Sequence, residues 1–142
     1  MSKLLNSKSG FTIIESTIAI LILLVAIFGI MQFFPLGIKI IGDSQSQTMA
    51  SNIALSKIEE IRSLNYEDIS TGTIEAKNRV SSDPASPLYN FQRQTTVETV
   101  DNNFNSSASD VGLKKITVTV FWQSPVVLKE KSTEIQYIIS DY

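Results

Sequence analysis

The chain has 142 residues, with 12 basic and 14 acidic side chains, a formal net charge of −2, and neither cysteine nor histidine. Without cysteine there are no disulfides, thiolate metal sites or Cys nucleophile, and without histidine the commonest general base and metal ligand are gone. A basic stripe is also missing, so no nucleic-acid partner, metal, cofactor or catalytic activity is expected.

Residues 1–10, MSKLLNSKSG, are short and polar, with Lys3 and Lys8 as their only charges. Both precede an apolar run, and the positive-inside tendency keeps such an end cytoplasmic. From Ile18 to Met31 every residue is apolar or glycine, and from Phe11 to Met31 the only charge is Glu15. A span needs about 20 predominantly apolar residues, and this stretch reaches that length. It is longer than the apolar region of a secretory signal, and FFPLGIKII follows it rather than a small-residue cleavage site. Residues 11–41 therefore read as a membrane-spanning helix, punctuated by Pro35 and Gly37. Proline removes a backbone donor and usually kinks a helix.

Helical periodicity then resumes. Ala50, Ile53, Ala54, Ile58, Ile61 and Leu64 recur at three- and four-residue steps, with Ser51, Lys57, Glu59, Glu60 and Arg62 on other faces. This predicts an amphipathic half-helix over about 44–65, and the simplest reading joins both parts into one gently broken helix from Phe11 to near Asn65. Residues 71–90 are rich in Gly, Ser, Pro, Asn and Asp, with room for a short strand at Thr73–Val80. Tyr89–Val100 has strand composition, and 101–112 reads as a turn or long loop. Leu113–Gln123 is the clearest strand, Ile116, Val118, Val120 and Trp122 alternating with Lys115, Thr117, Thr119 and Phe121. Pro125 ends it, and Val126–Ser140 forms a last strand. The expected fold is α+β, a long N-terminal helix whose second half packs on a small C-terminal antiparallel meander within residues 42–142.

Glu15 is the feature that asks for a function. Charge in a bilayer is costly, about 2.5–3.5 kcal/mol at mid-helix and less near an end. The bland reading has Glu15 reaching the headgroups. The sharper one asks which cation meets it, since no Lys or Arg lies within helical reach on the apolar side. A cut after Gly10 would give Phe11 a new ammonium group four residues away, or opposite a neighbour's Glu15 in a packed bundle. Pairing would offset the desolvation cost of both charges.

Lys8-Ser9-Gly10 followed by Phe11-Thr12-Ile13-Ile14-Glu15 and an apolar span resembles the type IV prepilin leader. The resemblance implies cleavage between Gly10 and Phe11 by a prepilin peptidase on the cytoplasmic face, and N-methylation of Phe11. It implies that Glu15 neutralises the N-terminus of an adjacent subunit during assembly. Pro35 and Gly37 are similar to helix-breaking positions of pilins, and the type IV pilin-like fold is the architecture read above. SNIALSKIEEIRSLNYEDI and GLKKITVTVFW resemble minor pilins of the pilus-modification type and the minor pseudopilin I of type II secretion. The implied protein is a structural minor subunit, stored as a single-pass inner-membrane protein and then polymerised into a filament at the cell surface or in the periplasm. Its partners would be the peptidase, other pilin or pseudopilin subunits, an inner-membrane assembly platform and membrane lipid. A pseudopilin of type II secretion or of a DNA-uptake machine is the alternative within the family. A monomeric membrane-tethered binding domain, its leader uncut, is the alternative outside it; a tethered enzyme is disfavoured by the missing His and Cys.

Among other features, Glu59, Glu60, Glu67 and Asp68 read as a solvated charged face. Asp101, Asn102, Asn103 and Asp110 share a polar loop of the kind in which some pseudopilins bind calcium, without a diagnostic spacing. Phe121 and Trp122 read as sheet packing, and Tyr137 and Tyr142 have no assignable role.

Overall fold

A computed structural model describes residues 10–124, 126 and 128–141. Apart from Gly10, the expected leader lies outside the described residues, as do Pro125 and Tyr142. Helix occupies Ile13–Met31 (α1) and Phe33–Arg62 (α2), a one-turn 3₁₀ helix follows at Tyr66–Asp68, and four strands complete the chain: β1 (Gly72–Arg79), β2 (Phe91–Thr99), β3 (Leu113–Gln123) and β4 (Glu130–Ser140). The chain divides into two compact units, one ending at Ile38 and one beginning at Lys39.

In the first unit α1 buries none of its residues. Its backbone bonds are satisfied within the helix and its side chains are apolar on every face, the pattern of a helix that finds its partners in lipid or other helices. One helical stretch among the described residues, beginning at Ile13, is long and apolar enough to cross a membrane. α1 stops at Met31 for a local reason. Pro35 has no N–H to offer the Met31 carbonyl, and its ring crowds that carbonyl four residues back. Gln32 takes up the interruption with α-region dihedrals and α2 begins beside it at Phe33, so Pro35 falls in a first turn, where its missing donor is tolerated. Gly37 is helical, and a Cβ built on it would meet nothing within 4 Å.

In the second unit the strands pair antiparallel in the order β1-β2-β3-β4, a meander. The pleat sends Phe91, Thr95 and Val97 of β2 and Ile116, Val118, Val120 and Trp122 of β3 to one face. That face and the α2 stripe Ala50, Ile53, Ala54, Ile58 and Ile61 form one buried core, with Ile69 closing its end. Each buried Ile or Val contributes about 1.5–3 kcal/mol over leaving it in water, so this stripe holds the helix to the sheet. The alternation read in β3 is the alternation found, extended by one position to Lys114, which is buried on the core side.

The end of α2 and the start of the last strand differ from expectation. α2 ends at Arg62, and the Leu64 N–H bonds the Ile61 carbonyl in a tightened last turn. Leu64 is therefore exposed rather than part of the apolar stripe. Asn65 is extended and leads into the 3₁₀ helix. The last strand starts at Glu130, not Val126: the Leu128 N–H bonds Ser124 O, the Ser124 N–H bonds Lys129 O, and Leu128 has φ +52°, a turn that no strand accommodates.

Candidate functional site

The segment that the motif singles out begins with Gly10 and Phe11 outside the helix and fully accessible, Phe11 at 82 % exposure. Thr12 is the N-cap. Its backbone is extended (φ −79°, ψ 153°) and its hydroxyl accepts the Glu15 N–H at 3.2 Å, while its carbonyl accepts the Ser16 N–H at 3.1 Å. Ser16 and Thr17 hydroxyls bond back to the Thr12 and Ile13 carbonyls. Glu15 is thus the third helical residue, in the first turn, where the helix dipole favours an anion. Among the described residues it has no ion pair and its carboxylate accepts no hydrogen bond.

Thr12-Ile13-Ile14-Glu15 also fits the T-x-x-E capping box that precedes an apolar run. This cap signal is absent from the motif readings, which rest on the Glu15 charge. Half of the box is formed, the Thr12 hydroxyl serving Glu15; the return bond from the Glu15 carboxylate is not made. The site consists of an accessible Gly10–Phe11 peptide, a capped helix start and an anion whose charge no described cation neutralises.

In the second unit, polar side chains serve architecture. The Arg93 guanidinium grips Glu75 with two 2.8 Å bonds, and the buried Thr95 hydroxyl donates to the same carboxylate at 2.9 Å. Burial pushes Glu75 up, but the Arg93 fork and the Thr95 hydroxyl outweigh it and hold the carboxyl below its ordinary value. β1 carries register shifts on both sides of Glu75, so the pairing could not be read from strand alternation. Lys114 places its ammonium 2.9 Å from Tyr66 O and 2.8 Å from Ile69 O, with the Tyr66 ring 4.0 Å away. It satisfies Ile69 O and is a second donor to Tyr66 O, which also accepts the Ile69 N–H that closes the 3₁₀ turn at 3.3 Å. Lys131 bonds Asp43 at 2.5 Å, tying the strand that follows the β3–β4 turn to α2. The Lys131 ammonium first and the Ser124 hydroxyl second hold Asp43 below the usual carboxylate range, against its desolvation.

Asp101 and Asp110 do not converge on a cation position. Asp101 accepts the N–H groups of Asn103 (2.8 Å) and Asn105 (2.9 Å), whereas Asp110 accepts the Tyr66 hydroxyl (2.6 Å) and the Gly112 N–H (2.8 Å). Among the described residues no group of three or more acidic side chains is arranged to hold a metal ion. Phe121 lies under the Lys77 ammonium and Tyr89 under the Arg79 guanidinium, each at 4.0 Å. No family model, curated protein or solved structure matches the chain.

Proposed function

We propose that this chain is a membrane-stored, type IV pilin-like structural subunit, cut between Gly10 and Phe11 by a prepilin peptidase and methylated on Phe11. It polymerises through its apolar helix, with the sheet unit facing outward. The observation that carries the reading is Glu15: an anion at the first turn of a helix apolar on all sides, five positions after a Gly10–Phe11 junction that stands clear of secondary structure. An amine released at Phe11 of a neighbouring copy is the cation such a carboxylate lacks. Exchange of lipid for other apolar helices leaves the burial of α1 nearly unchanged, so bundling costs little. In this reading the uncut N-terminus faces the cytoplasm, residues beyond the span lie outside the inner membrane, and the partners are other pilin or pseudopilin subunits and an assembly platform. The minor-subunit assignment, in a pilus or in a type II secretion or DNA-uptake machine, rests on the segments SNIALSKIEEIRSLNYEDI and GLKKITVTVFW.

Mass spectrometry of the chain purified from its native membrane tests the proposal. A polypeptide beginning with methylated Phe11 is the expected result, and an intact Met1 overturns it. The Thr12 cap favours one second reading, a monomeric tethered domain in which Glu15 serves only the helix start. That reading retains the leader.

A further inference from the structure

The β2–β3 connection is a built projection. Val100 bridges Ser106, the Asp101 N–H bonds Asn105 O at 2.9 Å, and the Phe104 N–H bonds Asp101 O at 2.9 Å. The Ser107 N–H returns to Thr99 O, the Thr99 hydroxyl to Ser107 O, and the Ser106 hydroxyl to Glu98. This frame holds Phe104 in the left-handed region (φ +62°) with its ring 57 % exposed. An aromatic residue in that conformation stores strain, and a folded core gains nothing from an exposed ring.

At the opposite end of the sheet lies a cleft of about 500 Å³, lined by Gly42 and Met49 of α2, by Pro87 and Asn90, and by Phe91 and Trp122. Leu128, also left-handed and 76 % exposed, adjoins it, because the Gln123 amide on the cleft wall donates to Leu128 O. The two ends differ in charge. Glu67, Asp68, Asp101, Asp110 and Asp141 cluster around the β2–β3 end with no ion pair among the described residues; there Lys114 is buried and Lys115 is paired with Glu98. At the cleft end Arg79 and Lys129 have no carboxylate partner among the described residues, while Lys77 is paired with Glu130 and Lys131 with Asp43, against one acid, Asp83, in the β1–β2 connection.

We infer that the sheet unit docks head to tail on a second copy of this chain, Phe104 of one copy entering the cleft between Met49, Phe91 and Trp122 of the next. A knob and a hole at opposite ends make a heterologous contact, which repeats into an open row rather than closing as a pair. The acidic end meeting the cationic end fixes the direction of that row. The inference rests on the assembly reading only for bringing copies together; the contact itself is drawn from the second unit.

The chain has no cysteine, so engineered thiols report single positions. In membranes carrying the full chain, Asn103→Cys with Asn90→Cys in the same molecule, treated with a short bismaleimide, is expected to give a ladder of dimers, trimers and longer rows. Asn103→Cys mixed with Asn90→Cys in separate molecules should stop at dimers, and neither alone should cross-link. Phe104→Gly in the double-cysteine chain relieves the left-handed strain, so it should raise the unfolding midpoint while removing at least nine-tenths of the ladder. Met49→Glu, at the receiving end, should remove it too, and high salt should weaken it. A ladder that survives Phe104→Gly, or cross-linking by a single cysteine variant, overturns the inference. A processed Phe11 terminus without any ladder defeats this contact and leaves the assembly reading standing; a ladder on an unprocessed chain does the reverse.

Discussion

Arg93 reaches diagonally across the β1–β2 ladder to Glu75 with two parallel 2.8 Å bonds, and Thr95, directly opposite Glu75, completes the carboxylate. Both side chains are mostly shielded, Arg93 at 17 % exposure and Glu75 at 25 %. Glu75→Ala strands a largely desolvated guanidinium and leaves the Thr95 hydroxyl unused. The expected loss is about 1–2 kcal/mol, less than for a fully buried pair because water still reaches the site. Urea unfolding of the detergent-solubilised chain, compared with a Glu75→Gln variant that keeps one acceptor, measures it; Gln should recover part of the loss.

Acidification should act through the same group. The carboxyl of Glu75 is held below its ordinary value in the folded chain, as are those of Asp43 and Glu98, the latter by the Lys115 ammonium and the Ser106 hydroxyl. A depressed folded value means that the unfolded chain binds more protons as pH drops. The stabilisation is therefore complete above roughly pH 4–4.5, where unfolded carboxylates are ionised, and is lost as pH falls through the folded values. Unfolding midpoints measured from pH 7 to pH 2 should stay level and then decline below that range. Glu75→Gln should flatten the decline, and an unchanged slope would remove Glu75 from the account.

The parts of this fold that were legible in the sequence are those set by local periodicity. Ile116, Val118, Val120 and Trp122 alternate because one face of β3 is buried, and Ala50, Ile53, Ala54, Ile58 and Ile61 repeat helically because one stripe of α2 is buried. What stayed hidden depends on distant partners or local irregularity. Lys131 and Asp43 are 88 residues apart, and the Glu75 pairing follows two register shifts in β1. Lys114 is buried at the start of β3 because the distant 3₁₀ turn supplies carbonyls for its ammonium. The T-x-x-E cap at Thr12 is local and legible in the sequence, and it makes Glu15 the third residue of the helix.

Lys114 gives the clearest test of a buried cation used as a structural tie. At 6 % exposure its ammonium bonds Tyr66 O and Ile69 O. Lys114→Met keeps the apolar stem and leaves both carbonyls without that donor. A loss of about 1–3 kcal/mol is expected, with faster amide exchange confined to residues 65–70 and the start of β3. Uniformly faster exchange across β2 and β3 would assign Lys114 a global rather than a local role.

Thr12 and Glu15 can be separated by substitution because cap and charge lie on different residues. Thr12→Ala removes the acceptor for the Glu15 N–H, a loss of about 0.5–2 kcal/mol of helix-start stability, while the Glu15 carboxylate remains. Glu15→Ala and Glu15→Gln keep the Thr12 bond and remove the charge. If Glu15 pairs with a neighbour's amine, both Glu15 variants are cut normally after Gly10 and fail to co-purify with filaments, whereas Thr12→Ala is incorporated at near-normal levels. If Glu15 acts only at its own helix start, Glu15→Ala and Glu15→Gln are incorporated at near-normal levels, as Thr12→Ala is. Peptide mass spectrometry for cleavage, with quantitative immunoblotting of sheared filaments for incorporation, distinguishes the two. The Gln variant decides between them, because it keeps the size and shape of the side chain and loses the charge.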